Sequence, residues 1–302
     1  MTDNRQPTTT DCRLLPSLIK FCFSLTAVCL LLGCGGERPL PTPIVPAVVP
    51  TLQPTPTLWP TVAVGEETAV SGWQTIQPGL EQQTLDVFGD DGQQVEQLYL
   101  LRLAPAVFRF RVGYRPGAPL TLPEWQVETG AALVVNGGFF TEAWQATGLT
   151  VVDGVASGVS YEGFGGMLVV TEAGPELRGL AERPFDPAEP LLYALQSFPL
   201  LVRPDGTGFA DEDNQPNRRT VVGVDKNGRF LFIVAPWGHF TLHQLSQYLL
   251  ESDLELDIAL NLDGGTSTGL LLMAGDGGET AVDIPAFVPL PTVILVDAVS
   301  GG

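Results

Sequence analysis

The stretch D-I-A-L-N-L-D-G-G-T-S-T-G-L, residues 257–270, decides how this chain is interpreted. An apolar run interrupted by Asn261 meets Asp263, and a glycine- and hydroxyl-rich segment follows. The pattern predicts a buried strand that delivers a carboxylate to a sharp turn, whose backbone N–H groups and hydroxyls can face a polar ligand. We therefore expect a functional site here. Its turn residues are Gly264, Gly265, Thr266 and Ser267.

A second predicted strand ends in the same way. Residues 131–135 form an apolar run, and Asn136, Gly137 and Gly138 follow it, before two phenylalanines at 139 and 140. The glycines allow the backbone to approach a ligand closely, and the aromatic rings can wall a pocket or stack on a sugar. The alternative is an ordinary glycine turn with two core phenylalanines. The likeness to residues 257–270 favours a functional role.

Two further strand termini carry polar side chains. Arg219 follows Arg218 at the start of a predicted strand, and its planar guanidinium suits a phosphate or carboxylate. The alternative is a salt-bridged surface arginine. Gln196, which closes another predicted strand, can supply a further polar contact.

The spacing from residue 73 onward predicts an α+β fold. Short β-like segments separated by Gly, Pro and Asp indicate a mixed or antiparallel β-sheet core with a few packed helices, in a single globular domain over residues 73–302. One helix is predicted after Thr121, with Pro123 in its first turn, and another after Thr241, with Gln244 completing a capping box. Residues 225–228, D-K-N-G, predict a hairpin turn. Candidate strands cover residues 84–88, 95–103, 107–114, 132–136, 167–170, 191–196, 200–203, 220–224, 230–234, 257–262, 269–273 and 293–296.

The N-terminal region predicts a lipoprotein. Within residues 1–33, basic side chains precede an apolar run that is too short to span a bilayer, and Leu31-Leu32-Gly33-Cys34 resembles the bacterial lipobox, whose cysteine is lipidated. An ordinary signal peptide or anchor helix is the alternative. All four cysteines lie at or before position 34, which leaves no disulfide for the domain. Residues 34–72, rich in proline and threonine, predict an extended linker. We expect an extracytoplasmic, membrane-anchored protein at the cell surface.

The net charge limits the partners. A formal charge of −19 argues against binding of nucleic acid, or of anionic lipid, through a basic patch. Any phosphate specificity would have to be local. His239 and His243, the only histidines, would not share a helix face if Thr241 is the helix cap, so a histidine metal site is disfavoured.

Several motifs, taken in chain order, resemble the phosphodiester glycosidase family. They are N-G-G-F-F at 136–140, L-Q-S-F-P-L-L-V at 195–202, R-T-V-V-G-V-D-K-N-G-R at 219–229, and T-L-H-Q-L-S-Q-Y-L-L at 241–250 running into A-L-N-L-D-G-G-T-S-T at 259–268. The chain departs from the family pattern at three places. Thr266 and Phe198 stand where glycine is common, and residues 286–289 lack an expected arginine.

The resemblance implies hydrolysis of the glycosidic bond in sugar-1-phosphate diesters of a glycan or exopolysaccharide. We expect no cofactor, with a divalent cation such as Ca²⁺ or Mg²⁺ as the alternative. It implies that Asp263 is the catalytic carboxylate, as nucleophile or general base, with Glu142 as the candidate second carboxylate. Arg219 and residues 264–267 would hold the phosphate. Asn136, followed by Gly137 and Gly138, would bind sugar hydroxyls or an acetamido group, with Asn261 and Gln196 in support.

Other functions fit the same residues. A non-catalytic glycan-binding surface module would use the same pocket with a degenerate site. A hydrolase dependent on Ca²⁺ or Mg²⁺ would use Asp263, Asp225 and neighbouring carboxylates. A structural envelope protein is disfavoured, because it would not need converging polar turns.

Overall fold

Three antiparallel β-sheets and two α-helices make up the part of the chain that the computed structural model describes, residues 72–274 and 279–298. These residues belong to one compact unit, Gly65–Gly302. The predicted signal peptide, Cys34 and nearly all of the predicted linker lie outside the described residues. Within residues 72–274 and 279–298, no helix has the length and apolar character needed to cross a membrane.

The first sheet has seven strands. Across the sheet they are β1 (Gln74–Gln77), β2 (Leu80–Phe88), β3 (Gln94–Leu103), β13 (Phe230–Ala235), β12 (Arg219–Asp225), β14 (Leu256–Asn261) and β11 (Leu200–Val202).

The second and third sheets have five strands each. The second consists of β16 (Glu279–Ile284), β15 (Leu270–Ala274), β5 (Leu133–Asn136), β17 (Thr292–Ala298) and β4 (Phe108–Tyr114). The third consists of β7 (Val155–Ser157), β6 (Thr150–Val152), β10 (Tyr193–Ser197), β8 (Gly166–Thr171) and β9 (Gly174–Gly179).

The central strands are buried on both faces, and their side chains alternate between two cores. Phe232 of β13 packs into a core shared by all three sheets, while Ile233 packs on the opposite face. That face is covered by α2 (Leu242–Glu251). In β5, Val135 joins the shared core, and Val134 packs on the face covered by α1 (Leu122–Thr129). The period of two therefore places one helix outside the first sheet and the other outside the second.

Both helix starts are confirmed. Thr121 and Thr241 have extended backbones and accept hydrogen bonds from the N–H groups of Glu124 and Gln244, whose side chains bond back to the cap residues. The capping box satisfies N–H groups that a helix start leaves without partners. The hairpin at 225–228 is also confirmed, since it joins β12 to β13.

The fold class needs a correction. All strand pairs of the described residues are antiparallel, and only two α-helices accompany seventeen strands, so this part of the chain is mainly β rather than an even mixture. α+β therefore describes it only loosely. The predicted antiparallel core is present.

Candidate active site

One strand from each sheet ends beside Asp263. β14 of the first sheet ends two residues before it, β5 of the second sheet ends at Asn136, and β10 of the third sheet ends at Ser197. The N–H of Asp263 donates to the carbonyl of Gly137 over 3.0 Å. After the turn, the chain continues into β15, so residues 263–269 carry it from the first sheet to the second.

Both glycines after Asn136 are required by close backbone contacts. A Cβ atom at Gly137 would lie 2.8 Å from the carbonyl oxygen of Thr292, and one at Gly138 would lie 2.6 Å from that of Gln196. Real Cβ atoms do not approach so closely, so no other residue fits here without a backbone shift. The glycines thus bring the ends of β5, β17 and β10 together.

Asn136 connects the first sheet to the second. Its side chain is fully buried; Nδ2 donates to the carbonyl of Asp263 over 2.8 Å, and Oδ1 accepts from Thr220 Oγ1 over 2.7 Å and from the N–H of Gly269 over 3.1 Å. An amide satisfied in this way is costly to remove. Asn136 therefore joins protein segments here, and its predicted contact with a sugar stays a prediction.

The two other amides of the predicted site are also buried and engaged with protein. Gln196 Oε1 accepts from the N–H groups of Leu149 and Tyr161, at 3.2 and 2.8 Å, and its Nε2 donates to Ser160. Asn261 Nδ2 donates to the carbonyl of Phe198 over 2.9 Å. Both side chains position neighbouring loops.

The surroundings of Asp263 raise the pKa of its carboxyl group into a range suited to proton transfer. Burial raises its pKa from 3.8 to about 6, although hydrogen bonds from Ser267 and from the N–H of Gly264, at 2.9 Å, favour the charged form. Desolvation therefore outweighs these bonds. A carboxylate with such a pKa is mostly ionised at neutral pH and still accepts a proton readily.

The turn after Asp263 uses most of its own N–H groups. The N–H of Gly265 donates to the carbonyl of Arg218, those of Ser267 and Thr268 donate within the turn, and that of Gly264 donates to Asp263. Three of these donors belong to residues 264–267, and they are engaged with protein groups; the predicted contact of this turn with a phosphate stays a prediction. Thr266 lies exposed at the tip of the turn.

Arg219 lies beside the turn and is nearly buried. Its Nε donates to the carbonyl of Phe240 over 3.2 Å, and its Nη2 donates to that of Gln215 over 2.7 Å. A Cβ atom at Gly264 would be 3.8 Å from Nη1, so the third nitrogen faces the turn. Burial lowers the arginine pKa, against the influence of Asp213 and Glu212. Its predicted phosphate contact stays a prediction.

Arg218 occupies the region where the family arginine was expected. Its Nε and Nη2 donate to the carbonyls of Pro236 and Pro285, each over 3.0 Å, and its guanidinium lies 4.2 Å from the centre of the Phe287 ring. The remaining nitrogen, Nη1, is buried and has no hydrogen-bond partner among the described residues. Burial lowers the pKa of Arg218.

Glu142 stands apart from this arrangement. It lies in an exposed turn, where the N–H of Trp144 donates to the carbonyl of Thr141 over 2.9 Å. No hydrogen bond or ion pair of its carboxylate is found within the described part of the chain. Among the described residues, no polar contact thus links Glu142 to Asp263, and its role as a second carboxylate stays a prediction.

The structure separates Asp263 from Asp225, the two carboxylates that the metal hypothesis names. Strand β12 begins at Arg219, which neighbours the Asp263 turn, and it ends at Asp225. Arg219 and Asp225 are therefore about 20 Å apart along this seven-residue strand. Asp225 is paired with Arg229 over 2.7 Å in the hairpin. In residues 72–274 and 279–298, no group of three or more His, Cys, Asp or Glu side chains is placed to hold a metal.

The role of Glu96 could not be predicted from the sequence. This fully buried carboxylate accepts hydrogen bonds from the N–H groups of Trp237, Gly238 and His239, at 3.0 to 3.1 Å. The loop that it holds supplies the carbonyl that accepts from Arg219 Nε. A single glutamate inside a strand carries no pattern that would predict this contact.

An aromatic cluster also escaped the sequence prediction. It consists of Phe139, Tyr161, Phe164 and Phe198, and in its four contacting ring pairs the ring centres lie 4.7 to 5.7 Å apart. Phe164 is 50% exposed and Phe198 36% exposed. Phe139 and Phe198 belong to motifs of the sequence, but the clustering of the four rings could not be predicted, because they come from three separate segments.

Comparisons with known proteins identify relatives. A family model described as phosphodiester glycosidase matches residues 129–296. Among solved structures, the catalytic domain of zebrafish N-acetylglucosamine-1-phosphodiester alpha-N-acetylglucosaminidase, auto-inhibited by its pro-peptide, is similar in fold, with a TM-score of 0.58 and 18% identity over 75% of this chain and 86% of that one. A hypothetical protein from Synechocystis has a TM-score of 0.53 and 16% identity over 74% of this chain and 62% of that one. A comparison with curated proteins gives no match.

Proposed function

This chain belongs to the phosphodiester glycosidase family, and we propose that it hydrolyses the glycosidic bond of sugar-1-phosphate diesters. The observation that carries the proposal is Asp263, a mostly buried carboxylate with a pKa of about 6 at the meeting point of three sheets. Burial of a charge that no described arginine or lysine neutralises is costly, and such groups cluster at functional sites.

The proposed reaction breaks the bond between the anomeric carbon and the bridging phosphate oxygen. The electron pair of that bond stays on the oxygen, so the phosphate monoester leaves as an anion and needs little help from an acid. Asp263 either attacks the anomeric carbon, in which case water later displaces it, or takes a proton from the water that attacks. Both routes place the hydroxyl of water on the sugar and its proton in solution.

The phosphate is assigned to the side of Arg219. Its Nη1 faces the turn at Gly264, next to Asp263, and a guanidinium is suited to phosphate oxygens. Arg219 is held by two carbonyl groups, so little side-chain freedom would be lost on binding.

The test compares wild type with Asp263→Asn on a panel of sugar-1-phosphate methyl diesters, and it measures the free sugar released. Turnover should fall by several orders of magnitude in the variant. Asp257→Asn is the matched control, because Asp257 is exposed on β14, the strand that leads into Asp263, and it should retain activity. Turnover by Asp263→Asn close to that of wild type would remove Asp263 from the reaction. NMR of the first sugar anomer released distinguishes direct attack, which retains configuration, from water activation, which inverts it.

A specific observation favours a second function. Asn136, Gln196 and four N–H groups of the turn are engaged with protein, which leaves fewer polar groups for a substrate than the sequence predicted. A glycan-binding surface protein that catalyses no reaction needs fewer polar groups than an enzyme. Binding of the same diesters without release of sugar would favour it.

We also propose that the domain is displayed outside the cytoplasm on a lipid anchor. The support is the sequence alone, in which Cys34 follows an apolar run and precedes the linker. A phosphodiester-linked glycan at the cell surface would then be within reach of the site.

A further inference from the structure

We propose that the aromatic cluster is a stacking platform for the sugar ring of the substrate, placed on the opposite side of Asp263 from the phosphate. This inference rests on the proposed function and adds the position of the sugar. The rings of Phe164 and Phe198 present an exposed apolar surface. Contiguous exposed aromatic surface marks an interaction site more often than scattered apolar residues do.

The order of strands in the first sheet places the cluster. β14 lies between β12 and β11, and it leads into Asp263. On the β12 side, Val221 pairs with Asn261, so Arg219 lies opposite Asp263. On the β11 side, Leu200 pairs with Leu260, and the carbonyls of Pro199 and Phe198 accept from the backbone and side-chain nitrogens of Asn261. Arg219 and Phe198 therefore flank the end of the same strand.

The positions of Arg219 and Phe198 on either side of Asp263 indicate which part of the substrate lies on the aromatic cluster. The bond to be broken joins a phosphate to the anomeric carbon of a sugar, and Asp263 must lie beside that carbon. If the phosphate lies over Arg219, the sugar ring extends toward Phe198. The C–H face of a pyranose packs well on an aromatic ring, since that face is apolar and the ring face carries partial negative charge.

The cluster is held in place by the site itself. The N–H of Tyr161 donates to Gln196, and its hydroxyl bonds Thr147 over 2.6 Å. Tyr161 in turn stacks with Phe164 at 5.0 Å and meets Phe198 edge-on at 5.4 Å. Gln196 is thus a positioning residue for the platform. A preorganised surface loses little entropy when a ligand binds.

The chemistry suits a sugar with an apolar face. Phe164 and Phe198 offer ring carbon and no polar group, so specificity at this surface comes from ring shape and from substituents such as a methyl or acetamido methyl group. The phenylalanine at 198, where the family pattern commonly has glycine, makes this surface a feature of the present chain. The alcohol beyond the phosphate lies on the other side and does not contact the platform.

The test measures KM and kcat for Phe164→Ala with two diesters of one sugar-1-phosphate, the methyl and the octyl ester. KM should rise about three- to tenfold for both, with kcat nearly unchanged, because stacking acts on the bound sugar before and during the reaction. Phe164→Tyr keeps a ring and should restore the wild-type KM. Phe88→Ala is the matched control, because Phe88 is exposed at the end of β2 in the first sheet.

Two kinetic outcomes overturn the proposal. A KM increase confined to the octyl ester would place the alcohol on the rings, and an unchanged KM with an altered oligomeric state would make the cluster a contact between copies. If wild type hydrolyses no diester, the proposed function fails, and calorimetry with the sugar-1-phosphate monoester tests the platform alone. Weaker binding by Phe164→Ala would then support the platform, and equal binding would refute it.

Discussion

Replacement of Asp263 by asparagine should change how the stability of the domain depends on pH. The native pKa of about 6 lies above the value of 3.8 for an unburied aspartate, so the folded state binds more protons between these values. Stability from this group is fully present below about pH 3.8 and is lost as pH rises through 6. Each tenfold change in proton affinity corresponds to about 1.4 kcal/mol, so the total loss is about 3 kcal/mol.

Asparagine keeps the shape of aspartate and carries no charge. Its Oδ1 can still accept the N–H of Gly264, so the variant should lose little packing. We expect the difference in unfolding free energy, variant minus wild type, to increase by about 2 kcal/mol from pH 4 to pH 7.5, since the unfolded carboxyl group is already more than half ionised at pH 4. Urea unfolding followed by tryptophan fluorescence, at half-unit steps of pH, measures this difference.

The control isolates the effect of burial. Asp257 lies exposed on β14, so Asp257→Asn should give a curve parallel to that of wild type. A parallel curve for Asp263→Asn as well would refute the reasoning, because it would mean that the Asp263 carboxyl titrates alike in the folded and unfolded states.

The remaining predictions concern the connection between sheets and the N-terminus. Asn136→Ala should lower the free energy of unfolding by about 2 to 5 kcal/mol, since it leaves the Thr220 hydroxyl and the Gly269 N–H buried without a partner; urea unfolding checks this, and a variant as stable as wild type would contradict it. Cys34→Ser should move the full-length chain from the membrane fraction of its host to the soluble fraction, or leave it as an uncleaved precursor. Fractionation and immunoblotting measure both results. Unchanged fractionation with normal processing would show that Cys34 is not the anchor.

Local signals in the sequence predicted part of the fold well. The helix starts at Thr121 and Thr241 and the hairpin at 225–228 depend on residues within three or four positions of one another, so short motifs were sufficient. Long apolar strands such as β13 were also found. Strands β1, β6 and β7 were missed because they are brief, and β16 because it is largely exposed. Strand β9 was missed because Pro175 and Arg178 interrupt any apolar pattern in its sequence.

The sequence predicted two of the strand ends that meet beside Asp263, but it did not predict the contacts of the amides there. The partners of Asn136 lie 84 to 133 positions away along the chain, and those of Gln196 35 to 47 positions away. A polar residue at a strand end has the same sequence signature whether it faces a ligand or a neighbouring backbone. Only the fold decides between these two environments, and here it directs the side chains of Asn136 and Gln196 toward neighbouring protein segments.

Asn136 has a consequence for the history of such chains. Its amide ties the first sheet to the second, whereas the carboxylate of Asp263 incurs an electrostatic cost within the fold. A descendant that abandoned its reaction would gain stability by discarding the aspartate and lose it by discarding the asparagine. In a newly sequenced relative, an asparagine at the position of Asn136 would thus indicate that the fold is kept. An aspartate at the position of Asp263 would indicate that selection maintains the reaction.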